Sequence, residues 1–194
     1  MKFVAITGSI GCGKTTIAQM LRKQGFFVFD ADKWVKHIYY NKLFLQQVKT
    51  YFPEVFEKDV FCKKKLRDVV FSDSKKLNIL EELIYPYLTK KIKKIVKYRK
   101  NKGLVFMDVA LLYEKCWDKY FDFVILADVD KETQKIRVMK RDGITAEDFE
   151  KIDKIQLDMN IKRQKADFII ETGVTINKLR KNVINVVGFL KGYE

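Results

Sequence analysis

One histidine, two prolines and three cysteines are all that this 194-residue chain contains of those residue types. Cys12, Cys62 and Cys116 are odd in number, widely separated and without a C-x-x-C pair, which indicates neither a disulfide framework nor a cysteine metal site. The lone His37 has no neighbouring ligand and reads as a surface or packing residue rather than a metal ligand. Hydrophobic residues make up 47% of the chain. Their uninterrupted runs nevertheless fall far short of the ~20 residues a membrane span requires, so no membrane crossing is expected. Met1-Lys2 leads straight into an apolar strand pattern with no room for a removable signal sequence, and the expected location is cytoplasmic. Repeats, low-complexity tracts and Pro-rich linkers are lacking, and the length suits one α/β core with insertions.

Acidic residues are also scarce, 25 against 39 basic ones, for a formal charge of +14. Lysine outnumbers arginine and is spread along the chain, so much of this charge is solvated surface; a positive field also concentrates small polyanionic ligands. An N-K-x-D guanine motif and an RNA-binding aromatic signature are both missing, and nucleic acid is not an expected partner.

What is present is local and specific. Phe3-Val4-Ala5-Ile6 runs into Gly8-Ser9-Ile10-Gly11-Cys12-Gly13-Lys14-Thr15-Thr16, a complete G-x-x-x-x-G-K-[ST] loop between a predicted strand and a predicted helix. Gly8, Gly11 and Gly13 let the backbone curl so that N–H groups face phosphate oxygens, and the helix beginning near Lys14 adds its positive end. Lys14 would reach the β- and γ-phosphates of a nucleoside triphosphate, and the Thr15 hydroxyl would ligate Mg²⁺; Cys12 and Thr16 belong to the same nucleotide-binding stretch. Cys12 has two readings, a reactive thiol with a lowered pKa at a helix N-terminus or an inert small residue.

A helix over about 14–24 and a strand at Phe26 to Phe29 complete a βαβ unit. Further β-type runs at Leu104 to Met107, Phe123 to Ala127 and Phe168 to Ile170 alternate with helical patterns. That alternation predicts a parallel sheet covered on both faces, a three-layer α/β/α nucleotide-binding core around the P-loop. About seventy residues with little strand signal intervene between the second and third runs. There Leu77, Leu80, Ile84, Leu88, Ile92 and Ile95 mark a helical insertion packed as core, with Pro86 expected to kink or divide its helix. Lys131 to Arg141 reads as a helix, Asp142-Gly143 as a break, and Thr145-Ala146-Glu147-Asp148 as the cap of another; this pair would form a lid.

Asp30-Ala31-Asp32 follows the second strand at the carboxyl edge where ligands of such sheets bind, and at least one of the two carboxylates is expected to be catalytic, the other capping a helix. Asp108, ending the third strand, is either a metal-associated carboxylate or a strand-end cap. Arg137 and Arg141, four apart, lie on one helical face and either neutralise charge on a triphosphate or simply face solvent. From these residues alone, a kinase for a nucleoside or another small alcohol and a basic NTPase acting on RNA or DNA remain alternatives.

The ordered set TGSIGCGKTT, Asp30-Ala31-Asp32, Leu66-Arg67, Leu83-Ile84-Tyr85-Pro86, Asp108 with Leu111-Leu112-Tyr113-Glu114, Asp130 to Gln134, Arg137 through Arg141-Asp142, and Gln156 resembles the dephospho-CoA kinase family nearly end to end. The resemblance implies transfer of the ATP γ-phosphoryl group to the ribose 3′-hydroxyl of dephospho-CoA, with Mg²⁺. It also implies a nucleotide core at 1–32, 103–136 and 164–194, a helical substrate domain at 33–102 and a lid at 137–163. Carried over by position, Asp32 is the general base, Lys14 and Arg141 act on the transferring group, and Arg137 is a nucleotide-side lid residue. Arg67, Tyr85 and Glu114 are expected on the substrate side, and Thr15 and Asp108 toward the metal. This chain has Tyr85 where the family usually has His, a hydrogen-bond donor without a positive charge, and Ala110 where it usually has Pro.

Overall fold

The computed structural model describes residues 2–98 and 103–192. It separates into two compact units, Met1–Asp30 with Lys100–Glu194, and Ala31–Arg99.

The first unit begins with β1 (Lys2–Thr7) and α1 (Lys14–Lys23), then β2 (Phe27–Asp30). The second unit follows: α2 (Ala31–Ile38), α3 (Lys42–Tyr51), the short strands β3 (Phe56–Glu57) and β4 (Val60–Phe61), α4 (Lys63–Phe71) and α5 (Ser74–Tyr98). The first unit resumes with β5 (Leu104–Asp108), β6 (Phe123–Asp128), α6 (Lys131–Asp142), α7 (Ala146–Ile155), α8 (Met159–Lys165), β7 (Phe168–Glu171) and α9 (Ile176–Lys191).

The main sheet has the order β2-β5-β1-β6-β7, and its paired strands run parallel. The central β1 is buried on both faces, which is why Phe3 to Ile6 is a continuous apolar run rather than an alternating one. One layer of the core packs Val4 and Ile6 with Ile17, Leu21, Leu179, Val183 and Val187 from α1 and α9. Burying each such aliphatic side chain is favourable by roughly 1.5–3 kcal/mol, and their i, i+4 spacing selects the inward helix face. Every strand points its carboxyl end toward the same edge, so the chain leaves β1, β2, β5, β6 and β7 beside one another there.

In the second unit, Ile38, Phe44, Val48, Phe52, Val55, Leu66, Val70 and Leu80 form a separate core. Leu88 and Ile92 of the expected stripe are buried as well. Of the two effects expected of Pro86, division of the helix does not occur: α5 runs through it without interruption, with Pro86 on the exposed side and the buried stripe continuing before and after. The insertion is also not purely helical, because Phe56↔Phe61 and Glu57↔Val60 pair antiparallel. The turn of that hairpin, Lys58-Asp59, has positive φ at both residues, the conformation a two-residue hairpin needs, without the Asn-Gly or Asp-Gly signature that would reveal it in a sequence.

Among the described residues no helix is long and apolar enough to cross a membrane.

Candidate active site

The loop between β1 and α1 is shaped by glycines for steric reasons. Gly8 has φ 145°, and a Cβ there would lie 2.5 Å from the Ala127 carbonyl oxygen; at Gly11, with φ 78°, it would lie 2.6 Å from Val138 Cγ2. β6 and α6 therefore press directly on the loop, and no larger residue fits without moving backbone. Gly13, in the left-handed region, is the N-cap of α1. Thr15 is exposed in the first turn, while Thr16 lines a groove with Gln19, Met20, Lys23 and Arg180 between α1 and α9.

Lys14 Nζ donates to the Gly8 carbonyl at 2.5 Å and the Ser9 carbonyl at 3.1 Å. Its ammonium is thus folded back over the loop, where a phosphate would meet it. Asp108 pairs with Asp30 across the β2–β5 ladder and with Ile6 across β1–β5. In-register residues of parallel strands share a face, so the two carboxylates lie side by side at the carboxyl edge next to the loop. Asp32 falls two residues later, in the first turn of α2. Arg67 is exposed on α4 and Tyr85 half-buried on α5, two helices that pack against each other within the second unit.

Cys12 is fully buried, and that burial pushes its thiol above the ordinary cysteine range despite the lowering influence of Lys14. This overturns the reactive-thiol reading: desolvation of a thiolate outweighs the helix end and the nearby ammonium. Treating the folded protein with a maleimide and mapping adducts by mass spectrometry is expected to modify the exposed Cys116 first and Cys12 last. Preferential modification of Cys12 would refute the assignment.

The helical arm after β6 is built from strong local signals. Asp130 caps α6 by accepting from the Thr133 amide, which holds its carboxyl below the usual range, and Gly143 ends the helix in the left-handed conformation. Thr145 and Asp148 form a reciprocal capping box on α7. Arg137 reaches the loop indirectly. Its guanidinium donates to Thr172 Oγ1 at 3.1 Å and to the Thr172 carbonyl at 2.9 Å, while Thr172 Oγ1 donates to the Cys12 carbonyl at 2.8 Å. Arg141 is placed differently: it is 60% exposed and its fork is taken by Asp142, at 2.8 and 2.7 Å. That pairing holds Asp142 below the usual carboxylate range.

Glu114 carries out a task that its position in a motif did not disclose. Its Oε1 accepts from the Leu157 amide at 2.8 Å and from Lys162 Nζ at 2.8 Å, and Lys162 is fully buried. Stranding either charge of such a pair costs roughly 3–5 kcal/mol. Lys162 also donates to Ser9 Oγ at 3.3 Å, and Gln156 Oε1 accepts from the Ile10 amide at 2.8 Å. Arg163 forms a two-pronged pair with Asp128 at the end of β6, at 2.8 and 3.0 Å. Thr172, Lys162, Arg163 and Asp128 escaped the sequence reading. Thr172 and Asp128 had a usable signal, their place just at the end of predicted strands, whereas Lys162 is one of 39 basic residues and nothing in its neighbours marks it as buried.

A parallel sheet of this order, with the phosphate loop after its central strand and helices on both sides, is the three-layer P-loop kinase fold. A family model for dephospho-CoA kinase matches residues 2–178, and the chain belongs to that family. A dephospho-CoA kinase of Aquifex aeolicus is 38% identical over 190 residues, covering 96% of each chain. Among solved structures, a Thermus thermophilus protein superposes with a TM-score of 0.87 at 28% identity, covering 97% of this chain and 96% of its own. The dephospho-CoA kinase from Campylobacter jejuni superposes at 0.73 and 26%, covering 98% and 97%.

Proposed function

We propose that the family's reaction, transfer of the γ-phosphoryl group of ATP to the ribose 3′-hydroxyl of dephospho-CoA as the last step of coenzyme A biosynthesis, takes place over the Gly8–Thr15 loop. The observation that carries this reading is the Lys14 ammonium folded over the loop carbonyls, in a chain whose β2 and β5 bring Asp30 and Asp108 into register at the carboxyl edge of the same sheet. Backbone amides of the loop and the Lys14 ammonium hold the triphosphate, and the positive end of α1 adds to the field. Asp32 accepts the proton of the 3′-hydroxyl as that oxygen bonds to the γ-phosphorus; the bond from phosphorus to the β–γ bridging oxygen breaks, and ADP leaves. Arg67 and Tyr85 of the second unit contact dephospho-CoA, Tyr85 as a neutral hydrogen-bond donor.

The Thr15 hydroxyl and the Asp108 carboxylate are hard oxygen donors of the kind Mg²⁺ takes, and Asp108 stands beside a second carboxylate, so the donor set fits that ion. When bound, Mg²⁺ neutralises charge on the β- and γ-phosphate oxygens. The chain's own residues supply the rest: loop and lysine orient the donor, Asp32 the acceptor, and the α6–α7 arm covers the phosphates from water.

Arg141 takes part by leaving Asp142 for the triphosphate when nucleotide binds. Arg141→Lys retains the charge and loses the planar fork, and it is expected to lower kcat more than it raises KM for ATP. Steady-state kinetics check this, and an unchanged kcat would leave Arg141 as one half of a surface ion pair. The function itself is tested by ADP release with dephospho-CoA, nucleosides and RNA offered separately. Release dependent on dephospho-CoA, with a 3′-phosphorylated product by mass spectrometry, is the expected result; release with a nucleoside or RNA instead would overturn it.

A further inference from the structure

The stretch from Gln156 to Lys162 returns the chain from α7 into α8, and it grips one corner of the phosphate loop at three points. Gln156 takes the Ile10 amide, Met159 Sδ accepts from Ser9 Oγ at 3.1 Å, and Lys162 donates to that same hydroxyl. Lys162 is a fully buried cation 153 residues away from Ser9 in sequence, and its charge is balanced within hydrogen-bond distance by Glu114. Glu114 in turn holds the Leu157 amide, so one carboxylate oxygen fixes both ends of the gripping stretch. The second oxygen, Oε2, is buried and has no hydrogen-bond partner among the described residues.

A packed core by itself does not call for this arrangement, since apolar side chains of similar volume in place of a buried ion pair are often neutral or stabilising. What the pair supplies is direction: it sets where the Ser9–Ile10 corner lies, and that corner determines how the following turns of the loop present their amides to phosphate. We propose that Gln156 and Lys162 are positioning residues for phosphoryl transfer, with Glu114 as their anchor. Together they form a brace that couples the α6–α7 arm to the phosphate loop. Glu114 on this reading acts through the loop and not by touching dephospho-CoA. The proposal rests on Gly8–Thr15 being the nucleotide site. Phosphoryl transfer is sensitive to placement, and a shift of about 1 Å in a positioned group can cost on the order of 10²-fold in rate.

The test compares Lys162→Met, Glu114→Gln and the double variant Lys162→Met/Glu114→Gln by melting temperature, by titration with Mg-ATP and by single-turnover kinetics. Each single variant strands a buried polar or charged partner and is expected to melt lower. The double variant, which removes both charges at similar volume, is expected to recover much of the melting temperature while kcat stays down roughly 10- to 100-fold and ATP affinity stays weakened. A double variant with recovered melting temperature and wild-type kcat and affinity would make the pair a stability element and overturn the proposal. Gln156→Ala decides the matter if the double variant does not fold. It removes the Ile10 contact without burying a charge, so it should lower kcat with little change in melting temperature, and Gln156→Glu, which can still accept from the amide, should restore part of the rate. Unchanged kcat in Gln156→Ala would overturn the proposal. Failure of the wild-type protein to bind Mg-ATP would instead refute the nucleotide-site reading beneath it.

Discussion

Replacement of Lys14 by alanine is expected to reduce kcat by on the order of 10³-fold or more while leaving the protein folded. The group lost is a full positive charge placed against the phosphates, where charge accumulates as the γ-phosphoryl group transfers, and losing even one neutral donor at such a place costs roughly 10²–10³. Its contribution to the fold is small by comparison. Lys14 is half-buried, and its hydrogen bonds to the Gly8 and Ser9 carbonyls are each worth about 1 kcal/mol net. A loss of that size lowers the melting temperature by a few degrees, at roughly 2–4 °C per kcal/mol for a protein of this length. Circular dichroism melts and ADP-release kinetics on the same preparation separate the two effects. A folded Lys14→Ala protein with near-normal turnover would show that the loop does not hold the transferring phosphates.

The second large effect is expected at Asp32. Asp32→Asn preserves size and hydrogen-bonding ability but cannot take up the proton of the attacking hydroxyl, so kcat should fall by roughly 10²–10⁴, the range for a lost general base, with nucleotide affinity nearly unchanged. Asp30→Asn should behave differently. Asp30 ends β2 opposite Asp108, and neutralising it alters the charge beside a carboxylate at the sheet edge without removing a proton acceptor from the acceptor hydroxyl. A smaller loss of activity is expected there, together with a change in melting temperature. Single-turnover kinetics and nucleotide titration on both variants distinguish the two roles. If Asp30→Asn loses the chemistry and Asp32→Asn retains it, the two aspartates exchange places in the mechanism.

These expectations stand on features of unequal visibility. The phosphate loop could be read directly because its requirements are local: residues at positive φ, a lysine one step later and a hydroxyl after it must be contiguous in the chain to work at all. The same holds for the helix that Asp130 caps and Gly143 ends, and for the Thr145–Asp148 capping box, where each hydrogen bond spans three residues. The apolar runs of the strands announced a parallel sheet buried on both faces. The Lys58-Asp59 hairpin was hidden because Lys58 does not mark a left-handed turn and Asp59 is followed by Val60 rather than by the glycine that completes the signal, and the continuity of α5 was hidden because a proline's effect on a helix depends on what packs around it.

The amino-acid sequence by itself determined the nucleotide-binding loop, the alternation of strands and helices, the helical insertion and, through the ordered set of motifs, the family. Those are properties of segments, set by backbone geometry and periodicity over a few to a few tens of residues. Only the tertiary structure decided the strand order β2-β5-β1-β6-β7, which places Asp108 beside Asp30 and Ile6 although 78 and 102 residues separate them in the chain. It alone decided that Cys12 is too deeply buried to ionise readily, that Arg141 is paired with Asp142, and that Lys162 lies buried between Glu114 and Ser9. The physical reason is the same in each case. Burial, ionisation and pairing depend on which distant residues surround a group once the chain is packed, and desolvation in that packed interior can reverse what a side chain's chemistry alone would suggest.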